Sequence, residues 1–211
     1  MDFLQSVAAE VDALPLLEAV AAVLGVAYLL LAIRESIWCW LCAFVASVIF
    51  AWVFASSRLY MDAGLQLFYA AMAVYGWRVW LGGAQANTEA AVVRWPLRRH
   101  LVALVIVVAG SVLSGTLLSR MTEAAYPFVD SATTWGSLWA TFLVARKVLE
   151  NWWYWLVIDA VSIAIYLERG LEFAALLFVV YVVLIPFGIV SWTRSLHQAQ
   201  RDDQSAVAIA S

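Results

Sequence analysis

Seven times along its length the chain enters an apolar stretch about as long as a bilayer is thick. A helix needs roughly 17 to 25 predominantly apolar residues to cross hydrocarbon. Such stretches, each broken off by charges or turn residues, fall at 16 to 33, 37 to 56, 61 to 81, 101 to 119, 132 to 149, 152 to 168 and 171 to 193. With 65% hydrophobic and only 13% charged residues, a chain of this size cannot hide its apolar surface in a water-soluble fold, where about a quarter of residues are charged. The reading is an all-α polytopic membrane protein with seven transmembrane helices, its partner the lipid bilayer. The basic residues form no stripe and no nucleic-acid motif, so nucleic acid is excluded as a partner.

Residues 1–15 carry Asp2, Glu10 and Asp12 and no basic residue, unlike the positive start of a signal peptide. Phe3, Leu4, Val7, Ala8 and Val11 suit a short amphipathic segment on the membrane interface. Residues 16–194 make up the seven-helix domain, and 195–211 read as a disordered tail. Nine of the twelve Lys and Arg share one face of the seven spans, against Arg58, Arg120 and Arg169 on the other. The positive-inside rule then places the N-terminus outside and the C-terminus in the cytoplasm of a bacterial inner membrane.

Two parts of the chain repeat one another. An offset of 115 lays Glu35 on Glu150, Ser36 on Asn151, Trp38 on Trp153, Trp40 on Trp155 and Ser47 on Ser162, and an offset of 112 lays Leu59 on Leu171, Gly76 on Gly188 and Trp80 on Trp192. The spacing predicts one triplet over about 16–81, a second over about 132–193, and the helix at about 101–119 as connector. A single connecting helix gives both triplets the same orientation, a 3+1+3 parallel repeat whose halves meet around a midplane site. Gly110, Ser111, Ser114, Gly115 and Ser119 space small residues along the connector, which lets a neighbouring helix approach closely.

The most polar place at membrane depth is span six. At 100° per residue, Asn151, Trp155, Asp159, Ser162 and Tyr166 share one stripe, with Trp152 beside it. A carboxylate in hydrocarbon marks a site or a structural bond to a neighbouring helix, and Asp159 suits either role. In span three Asp62, Gln66, Tyr69, Ala73, Trp77 and Trp80 share a stripe, and span seven offers Tyr181, Leu184 and Gly188. Three helices thus line one cavity. Trp38, Trp77, Trp80, Trp135 and Trp192 sit near span ends and read as an interfacial aromatic belt. Pro186 is placed to kink span seven. Cys39 and Cys42 have metal-like spacing but lie in an apolar helix without a second ligand pair, and His100 and His197 lie at membrane edges, so no cofactor or metal is expected. One deep acid without a deep histidine argues against an intramembrane enzyme. The only lysine, Lys147, ends span five and not the last helix, against a retinal Schiff base.

Asn151-Trp152-x-x-Trp155-x-x-x-Asp159, together with Tyr75-Gly76-Trp77-x-x-Trp80 and the 3+1+3 plan, resembles the PnuC family of nicotinamide riboside transporters over residues 16–194. That family shares the architecture of the SWEET transporters. The resemblance implies import of nicotinamide riboside by facilitated diffusion, with a cytoplasmic nicotinamide riboside kinase as the functional partner that traps the product, and leaves room for a homo-oligomer. Carried over by motif, Asn151, Trp152, Trp155 and Asp159 form the span-six part of the substrate site; by the chemistry of their side chains, Asn151, Gln66, Tyr69 and Tyr181 can bond the ribose and carboxamide. Where relatives have an amide before Tyr-Gly-Trp, this chain has Met72-Ala73-Val74. A related vitamin such as thiamine, or proton coupling through Asp159, is the alternative.

Overall fold

The computed structural model describes residues 16–56, 60–85, 91–121 and 126–210, so the interfacial segment expected over 1–15 lies outside the described residues. Those residues form α1 (Leu16–Ile33), α2 (Trp38–Ser56), α3 (Tyr60–Gln85), α4 (Leu97–Met121), α5 (Pro127–Ala145), α6 (Asn151–Glu168) and α7 (Glu172–Ala210). Among these, α2, α4 and α7 are long and apolar enough to cross a membrane by hydropathy alone. The tail expected to be disordered from 195 onward is instead a continuation of α7. After Arg194 neither glycine nor proline interrupts the chain, so nothing stops the helix, and Leu196 is packed into the core.

Triplets α1–α3 and α5–α7 face one another with α1 against α7 and α3 against α5, while α4 packs along α5. Each cross-contact is the image of the other under exchange of the triplets. That is the 3+1+3 parallel repeat.

The turns that end α1 and α5 set its register. After α1, Glu35 N–H donates to Ala32 O and Ser36 N–H to Leu31 O; after α5, Lys147 N–H donates to Val144 O and Val148 N–H to Leu143 O. Both are Schellman turns, which need one residue in the left-handed region. That residue is Glu35 in one (φ 53°) and Lys147 in the other (φ 49°), an offset of 112 residues. The same offset pairs two close approaches of helix backbone and indole. A Cβ on Gly76 would stand 2.4 Å from the Trp40 ring, and one on Gly188 would stand 2.5 Å from the Trp152 ring. An offset of 112 therefore runs through both triplets. The 115 expected for the second helices is corrected, and the structural counterpart of Trp40 is Trp152, not Trp155.

Two of the tryptophans expected in the interfacial belt are buried. Trp80 is 4% and Trp192 0% exposed. Each donates its indole N–H across the halves to the end of a helix in the other: Trp80 to Ala145 O at 3.2 Å, Trp192 to Ala32 O at 2.9 Å. Each also meets an indole of its own half edge to face, Trp40 with Trp80 at 5.5 Å and Trp152 with Trp192 at 5.4 Å. Trp38 is more than half exposed, as a belt residue is.

Small residues of α4 do the work their spacing suggests. Gly110 lies under the ring of Trp135 and Gly115 under Phe128, both of α5, and Trp135 Nε1 donates to Ser114 Oγ at 3.2 Å. Outward from that contact α4 exposes Leu101, Val105, Val112 and Leu113, a face suited to acyl chains. Ahead of α4, Val93 N–H donates to Lys147 O and Val93 O accepts from Leu149 N–H. This strap lies across the α5–α6 turn and is fixed there by Glu150, which accepts from Arg94 Nε at 3.0 Å and from Trp95 N–H at 3.2 Å.

Candidate functional site

Between the triplets lies a cavity of about 430 Å³. All of Asn151, Trp152, Trp155, Asp159, Gln66, Tyr69 and Tyr181 line it. The α6 stripe explains why: Asn151, Trp155, Asp159, Ser162 and Tyr166 are one helix face, turned inward along nearly the whole of α6. Of the described residues on the stripe read in α3, Gln66 and Tyr69 line the cavity, while Ala73, Trp77 and Trp80 are not among the lining residues.

Adding 112 to a lining residue of the first triplet gives a lining residue of the second in every case but Tyr28. The cavity therefore straddles the pseudo-twofold axis, yet its two walls differ chemically. Ser47 on α2 answers to Asp159 on α6 and Ala43 to Trp155, while Asn151 answers to Cys39, which is not among the lining residues. Gly25 and Leu29 on α1 answer to Ser137 and Thr141 on α5. Tyr69 and Tyr181 are a like pair. Polarity is thus concentrated in the second half. The first-half copy of the α6 motif is Cys39-Ala43-Ser47, which corrects the Ser36-Trp40-Ser47 expected from the 115 offset.

The hydroxyl wall of α5 was missed by sequence reasoning. Thr133, Thr134, Ser137 and Thr141 all line the cavity, and their spacing of three and four residues is the signal that marks them. Thr141 donates to Ser137 O at 2.7 Å and Thr133 to Asp130 O at 3.0 Å. The protons of Thr133 and Thr141 go to their own helix, which leaves those hydroxyl lone pairs as acceptors. On α1, Gly25 admits the Tyr181 hydroxyl, which stands 2.5 Å from where its Cβ would be.

Three buried polar atoms belong to residues that line the cavity. Asn151 is fully buried and donates its amide N–H to Val148 O at 2.7 Å, but its Oδ1 has no partner among the described residues, and neither do the indole N–H groups of Trp40 and Trp152. Buried polar groups are nearly always paired, so such atoms point to something bound. Two donors and one acceptor suit a planar amide edge. Asp159, 3% exposed, adds a carboxylate to a cavity whose lining, among the described residues, includes no Lys, Arg or His.

Residues 15–194 match the family described as nicotinamide mononucleotide transporter. Among curated relatives, the chain is 28% identical over 178 residues to the riboflavin/roseoflavin transporter RibM of Streptomyces davaonensis, covering 82% of each chain. It is 23% identical over 207 residues to the nicotinamide riboside transporter PnuC of Escherichia coli, covering 86% of this chain and 87% of that one. Among solved structures, the crystal structure of the vitamin B3 transporter PnuC superimposes with a TM-score of 0.70 at 23% identity, over 93% of this chain and 89% of the other. That likeness shows the seven-helix 3+1+3 fold.

Proposed function

The chain belongs to the nicotinamide mononucleotide transporter family, and from that membership we propose that it imports nicotinamide riboside by facilitated diffusion. It is a multi-pass membrane protein of a transporter family. We place its N-terminus outside a bacterial inner membrane and its C-terminus in the cytoplasm, on the strength of the arginine bias. The two triplets rock about the cavity and open it to each side in turn.

The observation that carries this reading is the carboxylate of Asp159 in a cavity lined in part by indoles and, among the described residues, by no basic side chain. Nicotinamide riboside holds a flat pyridinium cation. Trp155 offers a ring face to such a cation, Asp159 offers the counter-charge, and the α5 hydroxyls accept from the ribose. The carboxamide supplies one acceptor and one donor edge to the unpaired groups of Trp40, Trp152 and Asn151. Phosphorylation by a cytoplasmic kinase adds about −1.5 to −2 charge, which a cavity holding a carboxylate rejects, so the product stays inside.

The relative named as a riboflavin/roseoflavin transporter supports a second reading. The imide edge of a flavin presents acceptor, donor and acceptor, which also suits the unpaired groups of Trp40, Trp152 and Asn151. Charge separates the two. Asp159→Asn is expected to weaken binding of nicotinamide riboside, followed by quenching of tryptophan fluorescence on purified protein, by roughly 30-fold, the scale of losing one partner of a desolvated charge pair. Binding of the neutral flavin should change by no more than about twofold, since no net charge is lost against it. Trp155→Ala should weaken both. Equal effects of Asp159→Asn on the two ligands, or tight flavin binding with none by nicotinamide riboside, would sink the first reading. Thiamine, also a cation, belongs in the same titration, and uptake into liposomes with and without a pH gradient tests proton coupling.

A further inference from the structure

Where the two triplets meet at their arginine-rich end, Lys147 Nζ stands 2.8 Å from Glu35 Oε2. These are the two residues that hold equivalent left-handed positions in the turns after α5 and α1. We propose that this ion pair is the gate of the cavity on that face: the bond that must break for the site to open there and re-form for it to close.

Four observations converge on it. First, a charged residue at each of these positions is a choice against conformational preference. The turn after α6 uses the residue that suits it, Gly170 at φ 72°, whereas a side chain in this region costs about 1–2 kcal/mol. Strain of that kind persists where the side chain is needed, and here both strained residues are spent on one another. Second, the pair links residues 112 apart that the pseudo-twofold relates, so it joins the halves on their common axis and not within either. A change that rocks one triplet against the other must alter this distance. Third, the pair caps a closed stack. Lys147 Nζ lies 4.7 Å from the centroid of the Trp80 ring, Trp80 and Trp192 lie 6.4 Å apart, and Trp40 and Trp152 stand against them and line the cavity. The route from the cavity to this face is plugged by indoles, with the ion pair outermost. Fourth, the sides are held unequally. The Lys147 turn is clamped by the strap through Val93, and no comparable strap crosses the Glu35 turn among the described residues. Opening therefore carries Glu35 away from a fixed Lys147.

Both side chains are largely buried, at 10% and 18% exposure. A pair of that kind is costly to break by removing one partner and recovers when charges are exchanged, because the uncompensated charge is what destabilises the closed state. It is therefore a switchable latch and not a rivet. The inference rests on alternating access and not on which vitamin is carried.

The test reads access alone. In a Cys39→Ala/Cys42→Ala background, Ser47→Cys places a thiol inside the cavity about two turns beyond Trp40, and a membrane-impermeant thiol reagent is added from the arginine-rich face of vesicles. Labelling should be slow with the pair intact and about tenfold faster with Glu35→Lys or Lys147→Glu. The exchanged pair, Glu35→Lys with Lys147→Glu, should return most of the way to slow labelling. Glu35→Gln, which removes the charge with little change of shape, should fall between, and only protein that elutes as a single folded peak in detergent is scored. Unchanged labelling in the single variants would overturn the proposal, as would equal acceleration in the singles and the exchanged pair. Because no substrate enters the readout, a failed substrate assignment leaves this result interpretable.

Discussion

Trp192→Ala is expected to lower the melting temperature of the detergent-solubilised protein by on the order of 10 °C. Removing a fully buried indole typically costs about 3–5 kcal/mol through lost contacts and the void left behind, and Trp192 is 0% exposed. Its position leaves little room for collapse, since it touches Trp152 and Trp80 at once. The substitution also deletes the bond from Nε1 to Ala32 O, one of two reciprocal tethers between the halves. Trp192→Phe, which keeps a ring and loses the N–H, should recover most of the stability but not all. A melt for Trp192→Ala within a degree or two of the parent protein would show that the halves do not depend on this contact.

Gly188→Val should abolish ligand binding while costing stability only about 1–3 kcal/mol, the usual penalty of overpacking. The new Cβ would fall 2.5 Å from two atoms of the Trp152 ring, which is 1% exposed and backed by Trp192. The indole has one direction left, into the cavity, where it occupies the space a ligand needs. Gly76→Val displaces Trp40 in the same way, but into the wall made of Ala43 and Ser47, so its effect on binding should be smaller. Gly64→Ala and Gly82→Ala are the controls, because nothing stands within 4 Å of an added Cβ at either. They should be neutral or stabilise their helix by up to about 1 kcal/mol. Titration of all four variants with nicotinamide riboside and riboflavin, beside their thermal melts, separates a blocked cavity from a loosened fold.

Much of this was legible from residue type and spacing. The seven apolar stretches are the seven helices, and the polar stripe of span six is the face that enters the cavity. A carboxylate or amide at membrane depth has few tolerable places, so its presence is itself positional information. Tryptophan carries no such information. In water a large apolar side chain is drawn inside, but a bilayer is as apolar as the protein core, so hydrophobicity does not separate an indole facing lipid from one buried between halves. Hence Trp80 and Trp192 looked like belt residues. The register error has a related origin. Trp40 matches a tryptophan at 112 and another at 115, and the residues that settle the choice, Glu35 and Lys147, are opposite in charge and unlike in sequence. What makes them equivalent is a backbone conformation. The α5 wall was overlooked because hydroxyls bonded to their own helix are tolerated anywhere in a membrane segment, lipid-facing or not.

Lys147 is the only lysine in the chain and is 8% exposed, held against Glu35 and the face of Trp80. Amine chemistry on the side chains of this protein is accordingly confined to one atom. An acylating reagent can react there only when the ammonium has lost a proton and stepped out from behind its carboxylate. The rate at which a single mass increment appears on the tryptic fragment carrying that residue is then a clock for how often the halves part, obtained from the unmodified protein without a dye, a substrate or an engineered thiol.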